Sequence, residues 1–125
     1  MGNTWSVISA INYLGYNCEL TNDIKKVSKS QYIILPGVGS FKKGINNLKE
    51  LGLFPLLNDK NFLNNKKILG ICLGFQLLGI SSTEGGYESG LNLIPEKVEI
   101  FDSKKKLKIP HIGFNSVNFA SDLFH

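Results

Sequence analysis

The chain has 125 residues with 14 basic and 10 acidic side chains, a formal net charge of +4, and 42% of its residues are hydrophobic. That is material for one domain with an ordinary core. No apolar run approaches the roughly 18 residues of a membrane span, and no secretory leader opens the chain, so a cytoplasmic protein with no membrane partner is expected. The basic cluster Lys104-Lys105-Lys106 lacks the interleaved aromatics of a nucleic-acid face and reads as a solvated turn. Cys18 and Cys72 are too few for a disulfide framework and have no C-x-x-C metal spacing.

In chain order, Trp5, Val7, Ile8, Ile11 and Leu14 recur at a helical period from Asn3 to Tyr13, and Gly15 supplies the stop. Trp5 reads as core or partner-facing. A short extended piece is expected over Tyr16–Leu20, with Cys18 as a small buried hydrophobe in or beside it. Tyr32–Leu35 reads as a compact strand ended by Pro36-Gly37. Phe41, Ile45, Leu48 and Leu51 return to helical spacing, with Gly52 as a cap. Lys67–Ile71 is a second buried strand, and Leu73–Ile80 is a helix packed on it. Asp23, Glu50 and Asp59 read as solvated surface charges.

Strands alternating with helices imply an α/β fold with a parallel sheet and helices on both faces. Beyond Gly90 the pattern changes: Val98–Phe101 and Leu107–Ile109 flank the lysine turn and predict an antiparallel hairpin. Ser116–Phe119 is strand-like. Domains of this kind open on a buried strand, whereas this sequence opens on a helix, so a single domain cut at both ends is expected.

The chemistry concentrates at Leu69-Gly70-Ile71-Cys72-Leu73-Gly74-Phe75-Gln76. Gly-x-Cys-x-Gly between a buried strand and an apolar helix is the cysteine version of a nucleophile elbow, a tight turn that exposes its central side chain. Side chains at Gly70 and Gly74 would collide as the turn closes. The N–H of Leu73 would face the same space as the thiol and could stabilise an oxyanion. The plainer alternative is a buried structural cysteine beside packing glycines. A second loop, Pro36-Gly37-Val38-Gly39-Ser40, is Gly-rich without the Lys-Ser/Thr of a phosphate loop. It can turn a second N–H toward the nucleophile, or be a plain strand-to-helix turn.

Gly70–Leu78 with Pro36–Gly39 resembles the class I, triad-type glutamine amidotransferases, whose fold is a flavodoxin-like parallel sheet with flanking helices. Further stretches resemble the branch of that family that supplies ammonia for imidazole glycerol phosphate in histidine biosynthesis. These are Gly2-Asn3 with Ser6-Val7, Ser82-Thr83-Glu84-Gly85, Gly90-Leu91-x-Leu93-Ile94-Pro95, and Pro110-His111-Ile112-Gly113-Phe114-Asn115. By that resemblance Cys72 attacks the side-chain amide of glutamine, and backbone N–H groups of Leu73 with Val38 or Gly39 form the oxyanion hole. Gly37, Gln76 and Glu84 hold the substrate, with Glu84 suited to its ammonium. Asn3, His111 and Phe114 face a TIM-barrel synthase in a heterodimer. Thiol hydrolysis of this kind implies no cofactor and no metal.

The sequence also departs from the family pattern. The triad is completed there by a downstream His-x-Glu, and neither His111 nor His125 matches it. The 125 residues are therefore expected to be inactive on their own. Phe114 stands for the family's Trp, Thr83 for a carboxylate, and Ile80 for a frequent Glu. Two other readings stay open from the sequence: a paralogue serving amidation of a surface-polysaccharide sugar, and a non-catalytic domain that binds a partner.

Overall fold

A computed structural model describes residues 4–101, 112–116 and 118 of the chain. The first helix, α1 (Thr4–Tyr13), ends where expected, its expected start at Asn3 lying outside the described residues, and Gly15 follows it at φ +83°. That left-handed backbone favours glycine and stops the helix. The helix α2 (Ile24–Lys29) is opened by Asp23, whose carboxylate accepts from the N–H of Lys25 at 2.8 Å. Asp23 is thus an N-cap rather than a merely solvated charge.

The strand β1 (Tyr32–Gly37) runs two residues further than predicted and includes Pro36-Gly37. A loop leads to α3 (Phe41–Glu50), and Gly52 at φ +67° reverses the chain into α4 (Leu53–Leu57). Pro55 is tolerated in α4 because its missing N–H falls in the first turn, where no helical acceptor exists. After α5 (Lys60–Leu63), capped by Asp59, the strand β2 (Lys67–Cys72) joins directly to α6 (Leu73–Leu77). A two-residue pair, β3 (Ser81–Ser82) and β4 (Glu88–Ser89), completes the named elements.

β1 and β2 are parallel and in register from Tyr32↔Lys67 to Gly37↔Cys72. Alternation along each strand divides the pair into two faces. Ile33, Leu35 and Ile68 pack on a core made by Phe41, Ile45 and Leu48 of α3, Leu53 and Leu57 of α4, and Leu73 and Leu77 of α6. Tyr32, Leu69 and Ile71 point the other way and are exposed. Helices on both faces are predicted, whereas α3 and α6 pack on one, and α1 has no buried residue. α6 is also shorter than the Leu73–Ile80 prediction. Its last carbonyls leave the helical ladder and accept instead from the chain that follows: Leu77 from Leu91, Leu78 from Leu93 and Ile94. The Gly90-Leu91-x-Leu93-Ile94 stretch therefore closes the C-terminal end of α6.

Three expectations are corrected. Tyr16–Leu20 forms no strand, and Cys18 within it is exposed rather than buried. With no strand there to pair or pack, nothing draws the small thiol inward. The first arm of the predicted hairpin, Val98–Phe101, is not a strand. Val98 makes one parallel bridge to Ser82, because the N–H of Val98 donates to the carbonyl of Ser81 at 2.9 Å. The antiparallel pair that is present is β3 with β4. The second arm and its lysine turn lie outside the described residues, as do 117 and 119 of the strand-like C-terminal segment.

Candidate active site

Cys72 is the last residue of β2 and the N-cap of α6, with no connecting residue between strand and helix. Its backbone sits at φ +55° and ψ −119°, a region that residues with a side chain rarely adopt. Holding it there costs on the order of 1–3 kcal/mol, which the surrounding packing must offset. The result is an exposed thiol where β2 meets the buried face of α6; β2 itself, expected to be a buried strand, has no buried residue, because one of its faces is uncovered among the described residues.

Three glycines make that turn possible. A Cβ on Gly74 would lie 1.6 Å from the Leu35 carbonyl oxygen, and one on Gly70 would lie 2.4 Å from the Cα of Phe75. A Cβ on Gly37 would meet the Gly74 nitrogen at 3.1 Å. Backbone thus packs directly on backbone where β1, β2 and α6 converge. Sequence reasoning anticipates the crowding at Gly70 and Gly74; that Gly37 completes the same contact follows from the register that pairs it with Cys72.

Because Gly37 is the ladder partner of Cys72, the loop after it emerges beside the elbow. Val38 is exposed, and Gly39 takes φ +108°. Leu73, the first residue of α6, is buried. Gln76, one helical turn after Cys72, is exposed. It lines an open concavity of about 240 Å³ with Phe75, Gly79, Ile94 and Val98. A larger concavity of about 560 Å³ lies by α5 and the start of β2, lined by Lys60, Leu63, Lys66 and Asn92. Cys72 lines neither. The chemistry is better located by the strained thiol than by the volume of either hollow.

Glu84 has a partner that sequence reasoning missed. Its carboxylate accepts from the N–H of Phe41, the first residue of α3, at 2.9 Å. Phe114 is exposed, and Asn3 and His111 lie outside the described residues. The exposed Lys26 ammonium on α2 is held above its ordinary range by its hydrogen bond to Glu19 and the charge of that carboxylate. It lies on an element that carries none of the candidate site residues. Among the described residues, no group of three or more His, Cys, Asp or Glu could hold a metal, and no helix is long and apolar enough to cross a membrane.

Comparison with known proteins fits this geometry. The family model for glutamine amidotransferase class-I matches residues 1–123. The chain belongs to that family. It is 47% identical over 120 residues to imidazole glycerol phosphate synthase subunit HisH 2 of Methanococcus maripaludis. It is 47% identical over 121 residues to subunit HisH 1 of Parasynechococcus marenigrum, and 46% identical over 117 to subunit HisH of Carboxydothermus hydrogenoformans. These alignments cover 94–96% of the chain and 57–59% of the relatives, so the chain spans a little over half the length of the proteins it matches. The class I amidotransferase resemblance read from Gly70–Leu78 and Pro36–Gly39 is thereby established.

Proposed function

We infer that this chain is the nucleophile-bearing part of a glutaminase domain whose ammonia is used to make imidazole glycerol phosphate in histidine biosynthesis. The observation that carries this reading is the backbone of Cys72, at φ +55° and ψ −119° between β2 and α6. A structural cysteine has no need of that conformation, whereas a nucleophile does, because it lifts the sulfur clear of the sheet. The names of the relatives support the histidine branch over amidation of a polysaccharide sugar.

The residues divide the work as follows. Cys72 Sγ bonds to the side-chain carbonyl carbon of glutamine, and the charge that develops on oxygen faces the N–H groups of Leu73 and of Val38 or Gly39. The carbon–nitrogen bond then breaks, a proton goes to the departing nitrogen, and ammonia leaves a γ-glutamyl thioester. Water adds to the thioester, glutamate departs, and the thiol is restored. Gln76, Glu84 and the Gly37 backbone hold the amino-acid head group. The proton transfers fall to the His-x-Glu of the family pattern, which is not among these 125 residues. A thiol mechanism of this kind requires no cofactor.

Asn3, His111 and Phe114 are assigned to the contact with a TIM-barrel synthase that receives the ammonia in a cytoplasmic heterodimer. The test is glutamine hydrolysis by the complete gene product with that synthase. Cys72→Ser is expected to lower turnover by about 10⁴-fold or more, since removing a nucleophile abolishes the covalent route. Turnover that survives in Cys72→Ser would refute the reading.

A further inference from the structure

The helix α3 begins in an unusual way. Ser40 stands at its N-cap, a residue type suited to capping, yet it makes no side-chain cap bond. The cap comes from Glu84, 43 residues later in the chain, whose carboxylate accepts from the N–H of Phe41 at 2.9 Å. Glu84 is itself steadied by its N–H donating to the Ser82 hydroxyl at 3.1 Å. At the other end of α3, Lys49 pairs with Glu88 at 2.8 Å and lies over the Phe54 ring at 5.4 Å. Glu88 is 16% exposed and Lys49 47%, so the carboxylate is largely shielded while the ammonium stays open to water. A carboxylate at the helix start and an ammonium in its last turn are both also favoured by the helix dipole.

The short segment from β3 to β4 therefore grips α3 at both ends. The loop that precedes α3 is the one beside Cys72. Its start is fixed by the ladder at Gly37↔Cys72. Its end is Phe41, the residue that Glu84 holds. Between them only three residues intervene, and one of these, Gly39, has the conformational freedom of glycine at φ +108°. α3 is also held by packing on α4 and on α6, where a Cβ on Gly44 would meet Leu77 side-chain carbons at 3.1 Å. The Glu84 bond to the Phe41 N–H at one end and the Lys49–Glu88 pair at the other add a hold along the helix axis.

We propose that residues 81–89 form a clip that sets the axial position of α3, and that Glu88, through Lys49, is a positioning residue for the backbone donors of the Val38–Ser40 loop. This rests on the reading of Cys72 as a glutaminase nucleophile and deepens it. Glu88 touches neither the thiol nor the loop, so its effect passes entirely through the helix. Glu84 has two tasks in this account: one carboxylate oxygen caps α3 while the other remains for the substrate ammonium.

The test uses the complete gene product in three forms: unchanged, Glu88→Lys, and the charge-swapped pair Lys49→Glu with Glu88→Lys. Amide hydrogen exchange is followed at Val38–Phe41, and kcat and KM for glutamine are measured in parallel. The single variant leaves the Phe41 N–H bond to Glu84 in place but frees the far end of α3, and it is expected to speed exchange at the Phe41 amide by about threefold, the scale of one partly exposed ion pair. It is also expected to lower kcat by about tenfold with KM changed less than about twofold, since misplaced donors affect the transition state more than binding. The swapped pair should recover most of both effects. Alkylation of Cys72 by iodoacetamide, which needs no oxyanion donors, should be unchanged, which separates misplacement from unfolding. Unchanged exchange in Glu88→Lys, or a swapped pair no better than the single variant, would overturn the clip. Should exchange respond as expected while turnover does not depend on Cys72, the clip would stand and the glutaminase reading would fall.

Discussion

Two strand-to-helix turns lie side by side in the parallel pair. β1 ends at Gly37 and reaches α3 at Phe41 through Val38, Gly39 and Ser40; β2 ends at Cys72 and α6 begins at Leu73, with nothing between. The longer turn places its positive φ on a glycine, where it costs little. The shorter one places it on a cysteine, where it costs about 1–3 kcal/mol. One chain has thus solved the same geometric problem twice, once with relief and once with strain. The strain is at the residue whose side chain must be presented, and the relief is where only backbone is needed. What holds the strained turn is the convergence of Gly37, Gly70 and Gly74, which lets β1, β2 and α6 meet backbone to backbone.

The contrast breaks most severely at Gly74. Gly74→Ala puts a methyl where the Leu35 oxygen lies, and a loss of about 3 kcal/mol or more is expected in denaturant unfolding. Gly37→Ala, whose new Cβ meets its nearest atoms at 3.1 Å, should cost nearer 1 kcal/mol. Between those two in size is relief of the strained turn itself. Cys72→Gly should be more stable than Cys72→Ala by about 1–2 kcal/mol, although neither can form a thioester. Equal stability of the two would mean that the turn at Cys72 carries no strain. The smallest effect separates two candidate caps. Asp23→Ala should cost about 1 kcal/mol, while Ser40→Ala, which loses no cap bond, should stay within about 0.5 kcal/mol.

The elbow is legible in the sequence because Gly70, Cys72, Gly74 and the change of hydrophobic period all fall within ten residues, whereas Gly37 joins them only through the pairing of the strands. The parallel pairing and α3 were legible for the same reason, being built from local apolar spacing. Elsewhere the deciding partners are remote or the segments too short. The helices α2, α4 and α5 have four to six residues each, too few to display a period, and two of them are declared only by the caps Asp23 and Asp59. Glu84 could be matched to a family motif, but its bond to Phe41 depends on how the 81–89 segment lies along α3. The habits of its residue type place Cys18 inside, yet it is exposed because no strand forms at Tyr16–Leu20 to enclose it.

That exposure makes Cys18 the internal control for the central claim, that Cys72 is a glutaminase nucleophile. Both thiols are open to solvent, so accessibility alone predicts that both react. The complete gene product would be treated with 6-diazo-5-oxo-L-norleucine, a glutamine analogue with an electrophilic side chain, and the labelled cysteine located by peptide mass spectrometry. The account predicts adduct on Cys72, none on Cys18, and protection by added glutamine. Equal labelling of the two cysteines, or labelling of Cys72 that glutamine does not slow, would contradict it.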